Sequence, residues 1–398
     1  ALEDLREPGA LTLDEALRRI AERDVRCNIV EQAGARYLGA GSDFGPKVFT
    51  RDIAFSGLLG LNVRFPELMM DSLRFTREVR RRVGFKVPAR FGLQPGEVPW
   101  EPVALTDDQF VQTHGTNAYL NRTDDVCWLW AMADGFERNP ALADWAYLTA
   151  EGAHFFEHFY APFFDETDGL YRGQASFVDI GYPNPLGTGY DASIGLQDRV
   201  RLKALSTNCL YVAGLGAMAR AAAELGDAHE AHTWQQRRAA LINAIRRSFQ
   251  QTDGTLAYYK FPDGRMERRR DVFGSSLAVL TGVVTGPEAR VALADYPMSA
   301  AGVPLFAPFF PDPRWYHNHS SWPFVDTFFL RALSLAKGRD YRDLAAAWLA
   351  TACSPGKGFR EVRDHRTGEV KGSGSQLWTA AAYLGLDDTW LSSASPGR

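Results

Sequence analysis

The chain of 398 residues holds only four cysteines, Cys27, Cys127, Cys209 and Cys353, and none stands in a CxxC or a paired Cys/His spacing. A zinc site or a disulfide framework needs that clustering, so the four are expected to be buried free thiols inside apolar helices. No apolar run reaches the roughly 18 residues of a membrane span, so no membrane helix is expected. A basic excess is missing too. Lys and Arg number 44 against 48 Asp and Glu, a net charge of −4, which excludes a field that would gather nucleic acid or anionic lipid. The sequence begins at Ala1 without an initiator Met or the apolar core of a signal peptide. The expected compartment is cytoplasmic, or periplasmic or secreted if a leader has been removed.

Aromatic residues, in contrast, are plentiful at 12%, and ten Trp are spread along the chain. Such side chains either fill a core or line a cleft whose flat faces hold the apolar side of sugar rings.

Helical periodicity dominates, and the helical segments come in pairs. Residues 13–23 and 25–37, 51–61 and 65–82, 124–136 and 140–160, 201–225 and 228–249, 275–280 and 287–294, and 320–336 and 341–352 read as successive helices. The last segment, 376–384, is single unless it lies beside the first. Two-helix units that bury a shared core point to one all-α domain over 1–398, an (α/α)6 toroid of six hairpins. Residues 255–270 are the exception and read as a β-hairpin turning at Asp263-Gly264. Turns within a pair are short. Long loops rich in Gly, Pro and aromatics precede the helices at Arg51, Asp125, Arg201, Ser320 and Gln376, and they would all emerge at one end of a ring of hairpins.

Five stretches stand at those junctions: VFTRDIAFSGLLGL (48–61), NRTDDVCWLW (121–130), GLYRGQASFVDIGYP (169–183), WYHNHSSWPFVDTF (315–328) and GFREVRDHRTGEVKGSGSQLWTAAAYL (358–384). Each mixes aromatics with Asp, Glu, His or Arg, the combination that stacks on a pyranose and hydrogen-bonds its hydroxyls.

The first stretch resembles the W-x-RD motif, with its following GL, of the amylo-alpha-1,6-glucosidase domain of glycogen debranching enzymes. The second resembles the D-x-x-LW helix start of the same domain. YHNHSSWPFVDTFFLRAL is similar to the YH-N-G-x-x-WP motif that this domain shares with the processing alpha-glucosidase and mannosylglycerate hydrolase family. The fifth is similar to that family's E-x-[YF]-[ND]-x-x-TG … WSAA motif. The resemblance implies a six-hairpin toroid that hydrolyses an alpha-linked glycoside with inversion. No organic cofactor is expected, because acid and base groups suffice, and no metal, because His317 and His319 have no third ligand of suitable spacing. Residue by residue, Glu361 falls on the general base and Asp179, in SFVDIGYP, on the general acid. Arg51 and Asp52 match the pair that holds the terminal sugar, with Asp125 and Trp322 beside it. Trp128, His317 and Trp378 complete the expected substrate contacts. The loop at Asp179 lacks the ESG-x-D signature, which leaves Asp191, in GTGYDAS, as a rival acid.

The residues themselves ask for the same chemistry. Hydrolysis of a glycoside needs a protonated acid at the leaving oxygen and, with inversion, a base that activates water from the opposite side. Asp179 follows Phe177-Val178, apolar neighbours that favour the protonated form. Glu361 lies between Arg360 and Arg363, a solvated and cation-rich setting that favours the ionised form. Plainer roles compete: a salt bridge for Glu361, an Asx-turn for Asp179, and first-turn helix acids for Asp52, Asp124 and Asp125. The expected partner is a small oligosaccharide or glycoside, with the oligomeric state open. Two other classes stay open: a sugar isomerase resembling N-acylglucosamine epimerase, working through His114 or His317, and a sugar-binding relative that would not need Glu361.

Overall fold

The computed structural model describes residues 11–32, 34–83, 87–88, 102–103, 124–157, 161–173, 175–178, 201–311, 315–387 and 390. The side chains of 80–83, 87–88, 102–103, 124–125 and 162 fall outside that description. Asp179, Asp191 and His114 lie outside the described residues.

Helices account for most of the structure. They are α1 (Leu13–Cys27), α2 (Thr50–Ser56), α3 (Pro66–Val83), α4 (Asp124–Arg138), α5 (Trp145–Phe155), α6 (Leu205–Glu224), α7 (Ala228–Phe249), α8 (Val272–Leu280), α9 (Gly286–Leu293), α10 (Pro323–Lys337), α11 (Arg342–Thr351) and α12 (Leu377–Leu384). Local chemistry sets their ends. Thr12 and Glu15 form a reciprocal capping box at α1. Asp227 caps α7 by accepting from the Glu230 N–H, and Gly338, left-handed at φ 62°, ends α10.

Even- and odd-numbered helices play different parts. α6 and α10 are buried along nearly their whole length. α7 buries one stripe, Trp234, Leu241, Ala244, Ile245 and Phe249, and turns the rest outward. The contacts follow the same division. α2 packs on α4, α4 on α6, α6 on α8, α8 on α10, α10 on α12, and α12 on α2, while each odd-numbered helix leans on one or two of its even-numbered neighbours. α1 packs on α12, so the single last segment does sit beside the first, and Tyr383 donates its hydroxyl to Asp14.

One expected helix is absent. Residues 25–37 finish α1 and then form a two-stranded hairpin, Ile29–Gln32 with Ala35–Leu38, turning at Gly34 with φ 79°. The β-branched Ile29 and Val30 suit a strand, and Tyr37 stacks on Phe75 of α3 at 4.2 Å, a contact that tertiary packing favours over local helix propensity. The expected hairpin within 255–270 is present, with Tyr259–Lys260 paired to Met266–Glu267 and Gly264 in the turn at φ 87°. Cys127 and Cys209 are buried as expected. Cys27, at the exposed end of α1, and Cys353, half-buried in a short strand, are not, because neither segment continues as a core helix.

The small sheets lie in the long connections that lead into the even-numbered helices. One carries a buried acid: Asp271, the last residue of the strand Arg270–Asp271, caps α8 by accepting from the Phe273 and Gly274 N–H groups. Burial outweighs those two bonds and lifts its carboxyl to about 7. A carboxyl that keeps its proton in the fold but loses it near 3.8 on unfolding subtracts stability as pH rises through that interval, by up to roughly 1.4 kcal/mol per pH unit. His317, which burial holds neutral, pulls the other way below its unfolded value of 6.5. The difference between two proteins therefore isolates Asp271. Asp271→Asn, which keeps one of the two capping bonds and has no proton to titrate, is expected to gain on the wild type in urea denaturation as pH is raised from about 5 to 7.

Candidate active site

The starts of α8, α10 and α12 meet around one side chain. Phe177 stands at φ 56°, a conformation rare outside glycine, and its ring touches His317, Trp322, Phe324, Phe273 and Trp378 at centroid distances of 5.1 to 6.3 Å. Those partners belong to the starts of α8, α10 and α12. The neighbouring Ser176 N–H donates to Ser206 Oγ at the start of α6, and Gly173 bridges Lys203. Residues 175–178 thus cross the end of the molecule where helix N-termini converge, which gives that end a positive electrostatic bias. The chain runs from there, after the buried Val178, to Asp179.

Glu361 is brought to the same end by a three-stranded sheet. Ser320–Ser321 pairs with Val362–Asp364, which pairs with Val370–Lys371, so the YHNH and GFREVRD stretches become neighbours although about 40 residues apart. The Tyr316 hydroxyl donates to Glu361 Oε1 at 2.6 Å, and the Ser373 N–H donates to Oε2 at 3.0 Å. Both are bonds to the ionised form. The setting differs from the solvated, cation-rich one expected, because Glu361 is only 4% exposed. Arg360 turns to Ser354 and the Gly372 carbonyl. Arg363 turns to Asp326 and to the carbonyls of Ala301 and Trp348. Backbone and tyrosine donors, not the flanking arginines, are what hold this carboxylate among the described hydrogen bonds.

His317 is fully buried and lies flat on Trp322 at 5.1 Å. Burial, helped by the charge of Arg51 and opposed by a bond to the Phe177 backbone, brings its imidazole down to about 3, so it is neutral at physiological pH. Trp322 donates Nε1 to the Tyr316 carbonyl, and Trp378 stacks on Phe324 at 3.9 Å. Arg51 and Asp52 open α2, with Asp52 buried and 3.9 Å from the Arg51 guanidinium. Asp125 lies in the first turn of α4, its side chain outside the description.

Trp128 does not join this group. Its indole is buried, donates to the Leu73 carbonyl of α3, and meets Tyr147 and Phe155 of α5 edge-on. Those contacts turn it toward the outer helices α3 and α5, about one turn below Asp125 along α4. In the described contacts it packs as core between α4, α3 and α5.

Three further residues escaped the sequence reading. Tyr316 stood in a quoted stretch, next to His317, but nothing in the sequence showed its hydroxyl aimed at Glu361. Ser373 contributes through its backbone, which no residue type announces. Gln376 precedes α12 and is fully buried, with both ends of its amide lacking a protein hydrogen bond; Thr50 Oγ1 and Trp378 Nε1 share that condition. Buried polar groups of this kind are costly in a dry core and are matched by water or by the hydroxyls of a ligand. Gly372 is the tightest neighbour of the carboxylate. It sits at φ 74°, and a Cβ there would collide with Glu361 Oε2. Gly372→Ala is therefore expected to displace Glu361 and lower kcat on the order of 10²-fold. A loss in KM alone, with kcat intact, would contradict this.

Among the described residues, no group of three His, Cys, Asp or Glu side chains is placed to hold a metal, and no helix is long and apolar enough to cross a membrane.

A family model described as the mannosylglycerate hydrolase MGH1-like glycoside hydrolase domain matches residues 171–379. No curated protein matches the sequence. Solved structures do. A glycosidase variant superposes with a TM-score of 0.65 at 18% identity over 95% of this chain and 97% of its own. A second glycosidase variant, in complex with glucose, gives 0.64 at 17% over the same shares. The GH63 mannosylglycerate hydrolase from Thermus thermophilus, in complex with Tris and D-glycerate, gives 0.62 at 16% over 93% and 99%. At these identities the likeness is one of fold.

Proposed function

Since the chain belongs to the mannosylglycerate hydrolase MGH1-like glycoside hydrolase family, we propose that it is an inverting, exo-acting hydrolase of an alpha-linked glucoside or closely related hexoside. The observation that carries the reading is the buried Glu361 carboxylate, held by Tyr316 and Ser373 at the end where the first turns of the helices converge. In this reading Glu361 activates water, and Asp179, which the chain reaches directly after Val178, protonates the glycosidic oxygen. Inversion calls for the two carboxyls to stand roughly 6.5–9.5 Å apart with water between them. Arg51, Asp52 and Asp125 hold the hydroxyls of the terminal sugar, while His317, Trp322 and Trp378 shape its apolar wall. The unpaired Gln376 amide adds a donor and an acceptor. The cyclic order of contacts from α2 through α12 and back to α2 supports a single (α/α)6 toroid over 1–398.

An isomerase working through His317 is disfavoured by the neutral, stacked state of that ring, which leaves almost no protonated form to act as an acid and makes it a weak base near pH 7. The experiment that tests the proposal incubates the protein with alpha-linked disaccharides and aryl alpha-glycosides and follows the first-formed anomer by NMR. Release of the β-anomer is expected. Release of the α-anomer overturns inversion, and a bound but uncleaved sugar across the panel overturns hydrolysis of this class.

A further inference from the structure

Outside the ring of even-numbered helices, a cavity of about 700 Å³ opens between α7 and the hairpin Phe164–Asp165 with Leu170–Tyr171. Its size falls in the range of small-molecule sites, roughly 300–1,000 Å³. Leu215 and Leu241 floor it, and Phe156, Phe164 and Tyr171 supply its aromatic walls.

These walls are held by contacts that owe nothing to the cavity's contents. Tyr171 stacks on Tyr211 at 3.8 Å and 5°. Asp168, in the hairpin turn, accepts from Lys203 at 2.7 Å and Lys260 at 2.9 Å, which ties the turn to the neighbouring sheet. Arg237 of α7 lies over the rings of Phe156 and Trp234 at 5.0 and 4.6 Å. A site already ordered before a ligand arrives loses little entropy on binding.

The charge is equally directed. Asp165 and Asp168 are matched by Lys203, Lys260 and Arg172. Among the lining residues, that leaves Arg237 and Arg247 facing Glu166, and neither Arg247 nor Glu166 has an ion pair or hydrogen bond among the described residues. In a protein of net charge −4 this is a local reversal of sign. Phe164 keeps 38% of its surface exposed, and Thr167 and Ser248 line the same cavity, the Thr167 hydroxyl donating to Asp165 at 2.7 Å. Aromatic faces suit the apolar side of a sugar ring, hydroxyls suit its hydroxyls, and guanidinium groups suit an anion.

We infer that this cavity is a second saccharide site, separate from the Glu361 end, that takes a small sugar bearing a carboxylate or a phosphate. The inference does not depend on the hydrolytic reading. Saturation-transfer NMR and calorimetry on the full chain, with glucuronate, glucose 6-phosphate and glucose as probes, test it and separate the two anions. At least one anionic sugar is expected to bind, more weakly as salt is raised. Arg247→Gln and Phe164→Ala, both exposed substitutions, should each weaken it tenfold or more, while Glu361→Gln leaves it unchanged and Arg247→Gln leaves hydrolysis unchanged. Three results overturn the inference: neither anion binds at millimolar concentration, neutral glucose binds as well as both, or the affinity follows Glu361→Gln and ignores Arg247→Gln.

Discussion

Glu361→Gln is expected to lower kcat/KM on the best alpha-glycoside by about 10³-fold, the range of a lost general base, and to remove the acidic limb of its pH profile. The amide keeps the shape and one acceptor, so the fold and sugar binding should survive, and circular dichroism with a glucose titration checks both. Tyr316→Phe provides the graded companion. A hydrogen bond to a charged group contributes about 1.5–3 kcal/mol, so its loss should reduce the rate roughly 10- to 100-fold. The direction of the pH effect is fixed as well. A hydroxyl donor at 2.6 Å favours the ionised carboxylate, so removing that of Tyr316 is expected to move the acidic limb of kcat/KM to higher pH. A Tyr316 that only packed would change the rate without moving that limb. Full activity in Glu361→Gln would place the base elsewhere.

The paired helices could be read from the sequence because apolar spacing near 3.6 residues survives wherever a helix buries one face. α7, for which periodicity predicts 228–249, occupies those residues. The hairpin at 29–38 could not, since a run containing Ile29, Val30, Tyr37 and Leu38 fits a helix face as well as a strand until Phe75 is known to lie opposite. The same limit applies at the site. Glu361 was legible as a carboxylate in a loop before the last helix. Its surroundings were not, because Arg360 and Arg363 adjoin it in the chain but point to Gly372 and Asp326 in the fold. Trp128 shows the opposite case. Its motif placed it on the right helix, and rotation about the helix axis set its indole against α3 and α5.

Gly60→Ala is expected to be the most destabilising of the small substitutions, by about 3 kcal/mol, the upper end for overpacking. A Cβ at Gly60 would stand 2.7 Å from the Ala381 carbonyl oxygen, 2.7 Å from Gly385 Cα and 2.8 Å from Gly385 N. All three are backbone atoms of the α12 end, so no side chain can swing aside. Gly57, three residues earlier, is the control. Its Cβ would meet the tip of Met69 at 2.7 Å and the Asn62 amide at 2.8 Å, both side chains, and the tip can move, so Gly57→Ala should cost less. The sequence GLLGL reads as ordinary helix, yet residues Gly57–Leu61 form a π-helical turn, which shifts the hydrogen-bond ladder by one residue. The fully buried Arg331 of α10 donates to the freed Leu58 and Leu59 carbonyls at 2.9 and 2.8 Å. Burial lowers that guanidinium to about 9, which still leaves it charged at neutral pH. One turn therefore joins α2, α10 and α12, the helices that carry Asp52, Trp322 and Trp378. Urea denaturation of the two variants distinguishes this seam from general intolerance of the π turn: equal losses at Gly57 and Gly60 would locate the strain in the turn itself, whereas a loss concentrated at Gly60 locates it in the contact that holds α12 against α2.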